Sequence, residues 1–476
     1  MRLQNKNFLE KIRIEMLNLP ELPHGGFLRM NNHLKAKLIS YNLNNAEICA
    51  SAARISTTQG NAVEIFERAG ENGKNGELIQ KVLRSGHKSI IEHAVFTFAL
   101  KDVSAFAEQF FIECRLASFT VKSRRYVDFS SFGYYIPPDL TGENRSEYCR
   151  YMDALFSAYK LMLENDIPKE DARFLLPYSF KSNFYCTLNA RELLHVISDI
   201  RYGRGRGVPE LQELADQMSE QAFSVFPCID FGEGTAPEHD VSCADRAAVG
   251  GALELIRPQE MGKVTLLNEP SNPAAILEAA YRINHPDSSP LEVHKLLHSE
   301  RPRELEQLSY SFVVSDITLS GITHIVRHRM QSIIVPSIQE IAHNRVIIPD
   351  TVGRDGKLAA IYRDVLESSN ELIKKMSGNK ELWKYRYYYA LSGNVMDIAT
   401  TMNARELNHF IKLRACSRAQ WEVQNISVRM LKHLRASYPE LFCSFGPSCF
   451  VDGKCPEGRM ACGKMEEIVD KFKELP

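Results

Sequence analysis

The sequence predicts an α/β (α+β) protein built as two tandem copies of one domain, and three observations carry that expectation. At 476 residues the chain is too long for one ordinary core. Strand-like and helix-like segments alternate along it. The same landmarks also recur 214 residues apart: the pentapeptide NAREL at Asn189 and Asn403, Arg115 with Ser118 and Ser123 against Arg329 with Ser332 and Ser337, Glu92 against Glu306, Phe98 against Phe312, Asp102 against Asp316, and His195 against His409. A repeat of that length is a whole domain with its own core, not a solenoid unit.

Residues 1–34 are mixed and polar, are broken by LPELPHGG, and read as an extension. The first copy, 35–235, opens with a strand in AKLISYN and a helix in AEICASAARIS. GHKSIIEHAVFTFALKD then runs a polar cluster into an alternating strand, AFAEQFFIECR is helical, and SFTVKSRRYV follows. Past Pro137-Pro138, EDARFLLP and TLNARELLHVISDIRYGRGRGVPE read as helices. Each GRGRG glycine costs a helix roughly 1 kcal/mol relative to alanine, so that stretch is expected to leave the helix as a loop. No lysine follows it and no clear strand precedes it, which argues against a phosphate-binding loop. A linker rich in Gly and small residues spans 236–260, the second copy 261–440 and a Cys-rich tail 441–476.

The 58 basic and 59 acidic side chains leave no net field for nucleic acid, so any anionic ligand must be held by a local cluster. No apolar run approaches a membrane span, and MRLQNKNFLEKIRIEM lacks the apolar core of a signal peptide. A cytoplasmic protein that binds neither nucleic acid nor membrane is the expectation. Cys49, Cys114, Cys149, Cys186, Cys228, Cys243 and Cys416 are scattered singly and are expected to be small buried apolar residues. Cys443, Cys449, Cys455 and Cys462 crowd into twenty residues among Gly and Pro; they could bind Zn²⁺ tetrahedrally or be free or redox-active thiols.

The copies differ where chemistry would sit. The second reads Arg327-His328-Arg329, led in by SGITHIV, where the first has Glu113-Cys114-Arg115. The first reads Ser123-Arg124-Arg125-Tyr126 where the second has Ser337-Ile338-Gln339-Glu340, which makes Ser337 a structural hydroxyl. Arg173 falls opposite Tyr387, while Arg414 falls opposite Ile200. His195, lacking the Arg-His-Arg element beside it, is expected to be a core histidine.

RHR with Ser337 seven residues on, the upstream GHKSIIEH, the SRRY run, NARELNHF and LRACSRAQWE together resemble the flavin-dependent thymidylate synthases over most of both copies. That resemblance implies a mainly antiparallel sheet with packed helices, four-fold assembly of domains, and sites shared between subunits. It also implies FAD, with methylenetetrahydrofolate as one-carbon donor and NADPH as reductant, acting on C5 of a pyrimidine nucleotide (dUMP to dTMP, or a related one). Carried onto this chain, flavin contacts fall to Arg327, His328, Arg329, Asn403, Arg405 and His409, with His87, Ser89 and Glu92 from the first copy. Nucleotide contacts fall to Ser123, Arg125, Arg173 and Arg414, of which Ser123 and Arg414 stand nearest the chemistry. A homodimer would rebuild the four-domain shape. Where the family carries Asn and Glu, these copies have Thr120-Val121 and Ile334-Val335, which leaves another nucleotide or a non-catalytic flavin- and nucleotide-binding protein as alternatives. Methylation of RNA is disfavoured by the neutral charge balance.

Arginine forks neutralise phosphate and pyrophosphate oxygens better than lysines do. A fixed guanidinium such as Arg414 suits the negative charge that develops on pyrimidine carbonyls when C5 becomes nucleophilic.

Overall fold

A computed structural model of the chain describes residues 35–232, 262–287 and 289–476; the N-terminal extension, the linker and Cys243 lie outside the described residues. The first copy runs β1 (Lys35–Tyr41), α1 (Asn45–Arg54), α2 (Ala62–Gly70), α3 (Asn75–Arg84), β2 (Val95–Ser104), α4 (Ala105–Ile112), β3 (Ser118–Val121), α5 (Gly142–Glu164), β4 (Lys181–Asn189), α6 (Ala190–Tyr202) and α7 (Pro209–Val225). The second runs β5 (Val264–Asn268), α8 (Pro273–Asn284), β6 (Ser309–Thr318), α9 (Leu319–Ile325), β7 (Gln331–Ile334), α10 (Gly356–Ser377), β8 (Val395–Asn403), α11 (Ala404–Arg414), α12 (Trp421–Ser437) and α13 (Met465–Glu474).

Each copy forms a four-stranded antiparallel sheet in the same order, β1-β2-β4-β3 and β5-β6-β8-β7. Alternation drives it: in β2, Phe96, Phe98 and Leu100 are buried while Thr97 and Ala99 are half-buried. Even the irregularities repeat. The register of the central pair breaks between Leu100 and Val103, and again between Val314 and Ile317. Inside these breaks Asp102 (φ 57°) and Asp316 (φ 53°) take the left-handed conformation that non-glycine residues rarely adopt. Their N–H groups donate to Asn183 Oδ1 (3.2 Å) and to its counterpart Asp397 Oδ1 (2.9 Å).

The bulge aims the strand end into the next helix. Ser104 Oγ caps α4 by accepting from Ala107 N–H and donates to Glu210 Oε2 (2.6 Å); Thr318 Oγ1 caps α9 by accepting from Gly321 N–H and donates to Glu422 Oε2 (2.5 Å). Glu210 and Glu422 are both buried, and each also accepts the backbone N–H of the capping residue.

Among the described residues the chain forms two compact units. One holds the first copy together with Ile348–Ser392, and the other holds the rest of the second copy and the tail. In the first unit α5 packs on α10, its own repeat counterpart: Tyr151 OH lies 2.8 Å from Ser369 Oγ and donates to Tyr389 O (3.2 Å). Two backbone bonds there are reciprocal, Tyr178 N–H to Ala390 O (2.7 Å) and Ser392 N–H to Leu176 O (2.9 Å), because Leu176 and Tyr178 are the counterparts of Ala390 and Ser392. A layer of buried tyrosines, Tyr135, Tyr148, Tyr151, Tyr388 and Tyr389, fills this unit, with Tyr388 OH donating to Glu210.

Two sequence expectations are corrected. EDARFLLP makes only a helical turn at Lys169–Ala172 and a 3-10 turn at Arg173–Leu175, and TLN ends β4, so α6 begins after Asn189. GRGRG does leave the helix, which stops at Tyr202. Among the described residues no helix is long and apolar enough to cross a membrane.

Candidate functional site

Arg327-His328-Arg329 lies in the turn that follows α9, and the turn splits the three side chains. Arg327 and Arg329 point to the surface, while His328 is only 5% exposed. Its ring is held at both nitrogens: Nδ1 lies 3.0 Å from Glu406 Oε1, and Nε2 accepts from Arg414 Nε at 3.0 Å. A guanidinium can only donate, so Nε2 is the acceptor and the proton sits on Nδ1, donated to Glu406. His328 is therefore a neutral imidazole. Burial lowers its pKa; the Glu406 hydrogen bond opposes this, and the Arg414 charge adds to it.

The NAREL motif builds the other half of the relay. Asn403 Oδ1 caps α11 by accepting from Glu406 N–H (2.9 Å), which places Glu406 in the first turn, and Arg414 follows two turns on. Arg414 Nη2 also donates to His324 O (3.1 Å), so the guanidinium is fixed by two acceptors. Arg405 pairs with Glu306, and His409 is exposed with its ring 5.7 Å from that of His328.

The first copy keeps the frame and empties it of this chemistry. The counterparts of His328, Glu406 and Arg414 are Cys114, Glu192 and Ile200, all buried. Burial pushes the Cys114 thiol far up and raises the Glu192 carboxyl. At the rim the sign changes too. Glu113 forms an ion pair with Arg204, which also pairs with Asp199, whereas the corresponding positions of the second copy are Arg327 and Arg418. The first copy neutralises its arginine with a carboxylate of its own; the second has Arg327 in place of that carboxylate. The first GRGRG arginine, Arg204, is thus committed to ion pairs.

The first copy holds its own cluster in exchange. Ser123 Oγ accepts from Arg125 N–H (3.3 Å), Arg125 Nε donates to Glu170 Oε2 (2.7 Å), and Arg173 Nε donates to Glu170 O (3.1 Å). Ser123, Arg125 and Arg173, fifty residues apart in sequence, are therefore brought together around Glu170. Arg125 also lies over the exposed Tyr126 ring. Arg124 turns the other way. It is buried, pairs with Glu108 (2.5 Å) and lies over Phe180, and Ser182 Oγ donates to the second Glu108 oxygen. In the second copy all three members of that network are apolar and buried: Ile322, Ile338 and Met396.

His87, Ser89 and Glu92 lie at the 3-10 turn Lys88–His93 ahead of β2, all exposed, with Glu92 paired to Arg191 as Glu306 is to Arg405. Ser337 accepts from Gln339 N–H and caps a 3-10 turn, the structural part expected of it. His195 is corrected: it is exposed, because it lies on the outer face of α6 just as His409 does on α11. Of the scattered cysteines, Cys49, Cys114 and Cys186 are buried, but Cys149, Cys228 and Cys416 are only half-buried. In the tail Cys443 is exposed, and it is Cys416 that joins Cys449, Cys455 and Cys462 in lining one cavity.

Glu406, Glu170 and His324 are the site residues that sequence reasoning missed. Glu406 stood in plain view inside the recurring NAREL. Glu170 and His324 act through contacts that no spacing rule exposes, and His324 contributes only its carbonyl.

A family model described as thymidylate synthase complementing protein matches this chain twice, over residues 37–228 and 265–440. The chain is similar to a flavin-dependent thymidylate synthase of Clostridium tetani, 29% identical over 245 residues that make up 45% of this chain and 98% of that protein. It is similar also to one from Nitratidesulfovibrio vulgaris, 36% identical over 167 residues, 33% of this chain and 67% of that protein. Among solved structures it is similar to a UMP/dUMP methylase, PolB, from Streptomyces cacaoi bound with 5-Br dUMP, at a TM-score of 0.35 and 23% identity, covering 44% of this chain and 99% of that one.

Proposed function

Because the chain belongs to the family of thymidylate synthase complementing proteins, we propose that it is a flavin-dependent methyltransferase acting on C5 of a pyrimidine nucleotide, dUMP or a close relative, with methylenetetrahydrofolate as one-carbon donor and NADPH as reductant. One observation carries the reading: the two copies have kept complementary sets of cations. The second alone has Arg327 and Arg414, with His328 bonded to Arg414, where the first has Glu113, Ile200 and Cys114; the first alone has Arg125 and Arg173, where the second has Gln339 and Tyr387. Loss at random would strike both sets in one copy as readily.

The residues present fit FAD in the second copy. Arg327 stands where the first copy has Glu113, and with Arg329 two residues on it makes a donor set suited to a pyrophosphate. Arg327 and Arg329, with Asn403, Arg405 and His409, would hold the cofactor, helped by His87, Ser89 and Glu92. The flavin supplies the hydride chemistry when bound. The chain supplies position and field: Ser123, Arg125 and Arg173 bind the nucleotide phosphate and sugar, and Arg414 stabilises negative charge on the pyrimidine carbonyl. His328, being neutral with its acceptor nitrogen towards Arg414, orients that guanidinium without repelling it.

In this reading a homodimer supplies four copies, and each working site takes its flavin side from a second copy and its nucleotide side from a first. Bound flavin then amounts to about one per chain, half of what four equivalent copies would hold. The test is to purify the full chain, record its flavin spectrum and stoichiometry, and follow tritium release from C5-labelled dUMP and dCMP with methylenetetrahydrofolate and NADPH. Release from either nucleotide supports the proposal. Bound flavin with no release from either replaces it with a binding protein, and two flavins per chain would refute the division of labour.

A further inference from the structure

The tail contains a cluster that the flavin and nucleotide chemistry does not use. Cys449, Cys455 and Cys462 from the tail and Cys416 from the turn after α11 line one cavity of about 180 Å³, with Lys412, Arg418 and Ile468 among its other walls. Cys443 is not among the residues that line this cavity. Two of the sulfurs already sit in turns of one kind. Cys416 Sγ accepts the backbone N–H of Arg418 at 3.5 Å, and Cys462 accepts that of Lys464, in each case the residue two positions on. A backbone N–H directed at sulfur fixes where its remaining lone pairs point. Glycines in left-handed conformation, Gly453 (φ 64°), Gly458 (φ 51°) and Gly463 (φ 74°), fold the tail tightly enough to return three cysteines to one place.

We infer that Cys416, Cys449, Cys455 and Cys462 form a four-thiolate site for a soft divalent cation, Zn²⁺ foremost, that staples the tail to the loop carrying Arg418 and to the end of the helix carrying Arg414. Four sulfur donors match a closed, structural tetrahedral site, with Glu457 a carboxylate on the same cavity wall. The sulfurs ring the cavity without having closed on it: among the described residues no group of three or more His, Cys, Asp or Glu side chains is already arranged to hold an ion. Binding therefore draws them inward, with release of the thiol protons to solvent. The ion adds rigidity two residues from Arg414, so its role is positional.

Metal analysis of the purified full-length chain tests this independently of flavin, which is read separately at its own absorbance. The expected result is about one zinc per chain in the parent protein. It should persist in C443S and be lost in C416S. The set read from sequence predicts the reverse for those two variants. Cobalt substitution in the parent and C443S proteins, neither of which disturbs the proposed ligands, should give intense thiolate-to-metal absorption, which keeps the inference testable if C416S fails to fold. No stoichiometric metal, loss of metal in C443S, or thiol titration showing the four sulfurs oxidised in pairs would each overturn it.

Discussion

The two copies spend their buried polar groups differently while sharing one scaffold. Bulge, left-handed Asp, capping hydroxyl and buried Glu recur residue for residue. So does the NAREL cap. What differs comes in sets: Glu108, Arg124 and Ser182 against Ile322, Ile338 and Met396, and Cys114 and Ile200 against His328 and Arg414. A buried ion pair missing one member is costly, whereas the same volume filled with apolar side chains is not. Divergence therefore changes most members of such a network together, Glu192 being the one carboxylate left behind where its partners became Cys114 and Ile200. A network kept in one copy marks either its structural specialisation or its work.

The sharpest way to break that comparison is to make half of one exchange. Glu108→Leu leaves Arg124 buried against Phe180 without its carboxylate and should cost about 3–5 kcal/mol in denaturant unfolding. The triple change E108I/R124I/S182M, which installs the second copy's residues, should recover most of that loss. A single variant no less stable than the triple would show that the three positions do not act as a set.

Next in size is the reciprocal network. Arg414→Ala should lower turnover on the order of 10²–10³-fold, the scale of removing one fixed donor from a developing charge, with flavin retained. Ile200→Arg in the first copy buries a guanidinium without a histidine to receive it, so it should add no turnover and lower stability. Arg329→Ala should lose flavin first, and Arg125→Ala should weaken nucleotide binding with flavin retained; equal losses from the two would end the proposed division between copies.

A smaller effect is the pH dependence of the relay. His328 has its pKa lowered in the folded state, so its contribution to stability is full above its ordinary value of 6.5 and declines as pH falls from there towards the folded value. Protonation at Nε2 would put an N–H against the Arg414 donor. His328→Gln should flatten the fall in unfolding free energy as pH drops below 6.5; an unchanged slope would place the titration elsewhere. Smallest of all are the matched surface pairs. Glu92→Ala and Glu306→Ala should each cost about 0–1 kcal/mol and agree with one another, being equivalent half-exposed ion pairs.

Much of this was legible in the sequence because duplication supplied its own alignment. The offset identified Asn189 with Asn403 and Arg115 with Arg329, and the alternation in VFTFAL placed the central strand. The run SRRY concealed a division of its own: Arg124 and Arg125 are neighbours, but the backbone turns one into the core and the other to the surface, and only Glu108, sixteen residues upstream, decides which. Cys416 looked like an isolated buried thiol because its partners lie more than thirty residues on. His195 looked like core because its counterpart's partner was absent, yet exposure is set by the helix face, and both histidines occupy the outer one.

The placement of Ile348–Ser392 in the first unit bears on how this gene could be divided. A cut at the linker, where sequence alone would cut, gives an N-terminal fragment stripped of α10 and of Tyr388 and Tyr389. Glu210 then loses a donor, and Tyr151 loses both its hydrogen-bond partners. After such a cut, α10 and its tyrosines reach the first copy only by packing from the other polypeptide, so the two fragments depend on one another for this core.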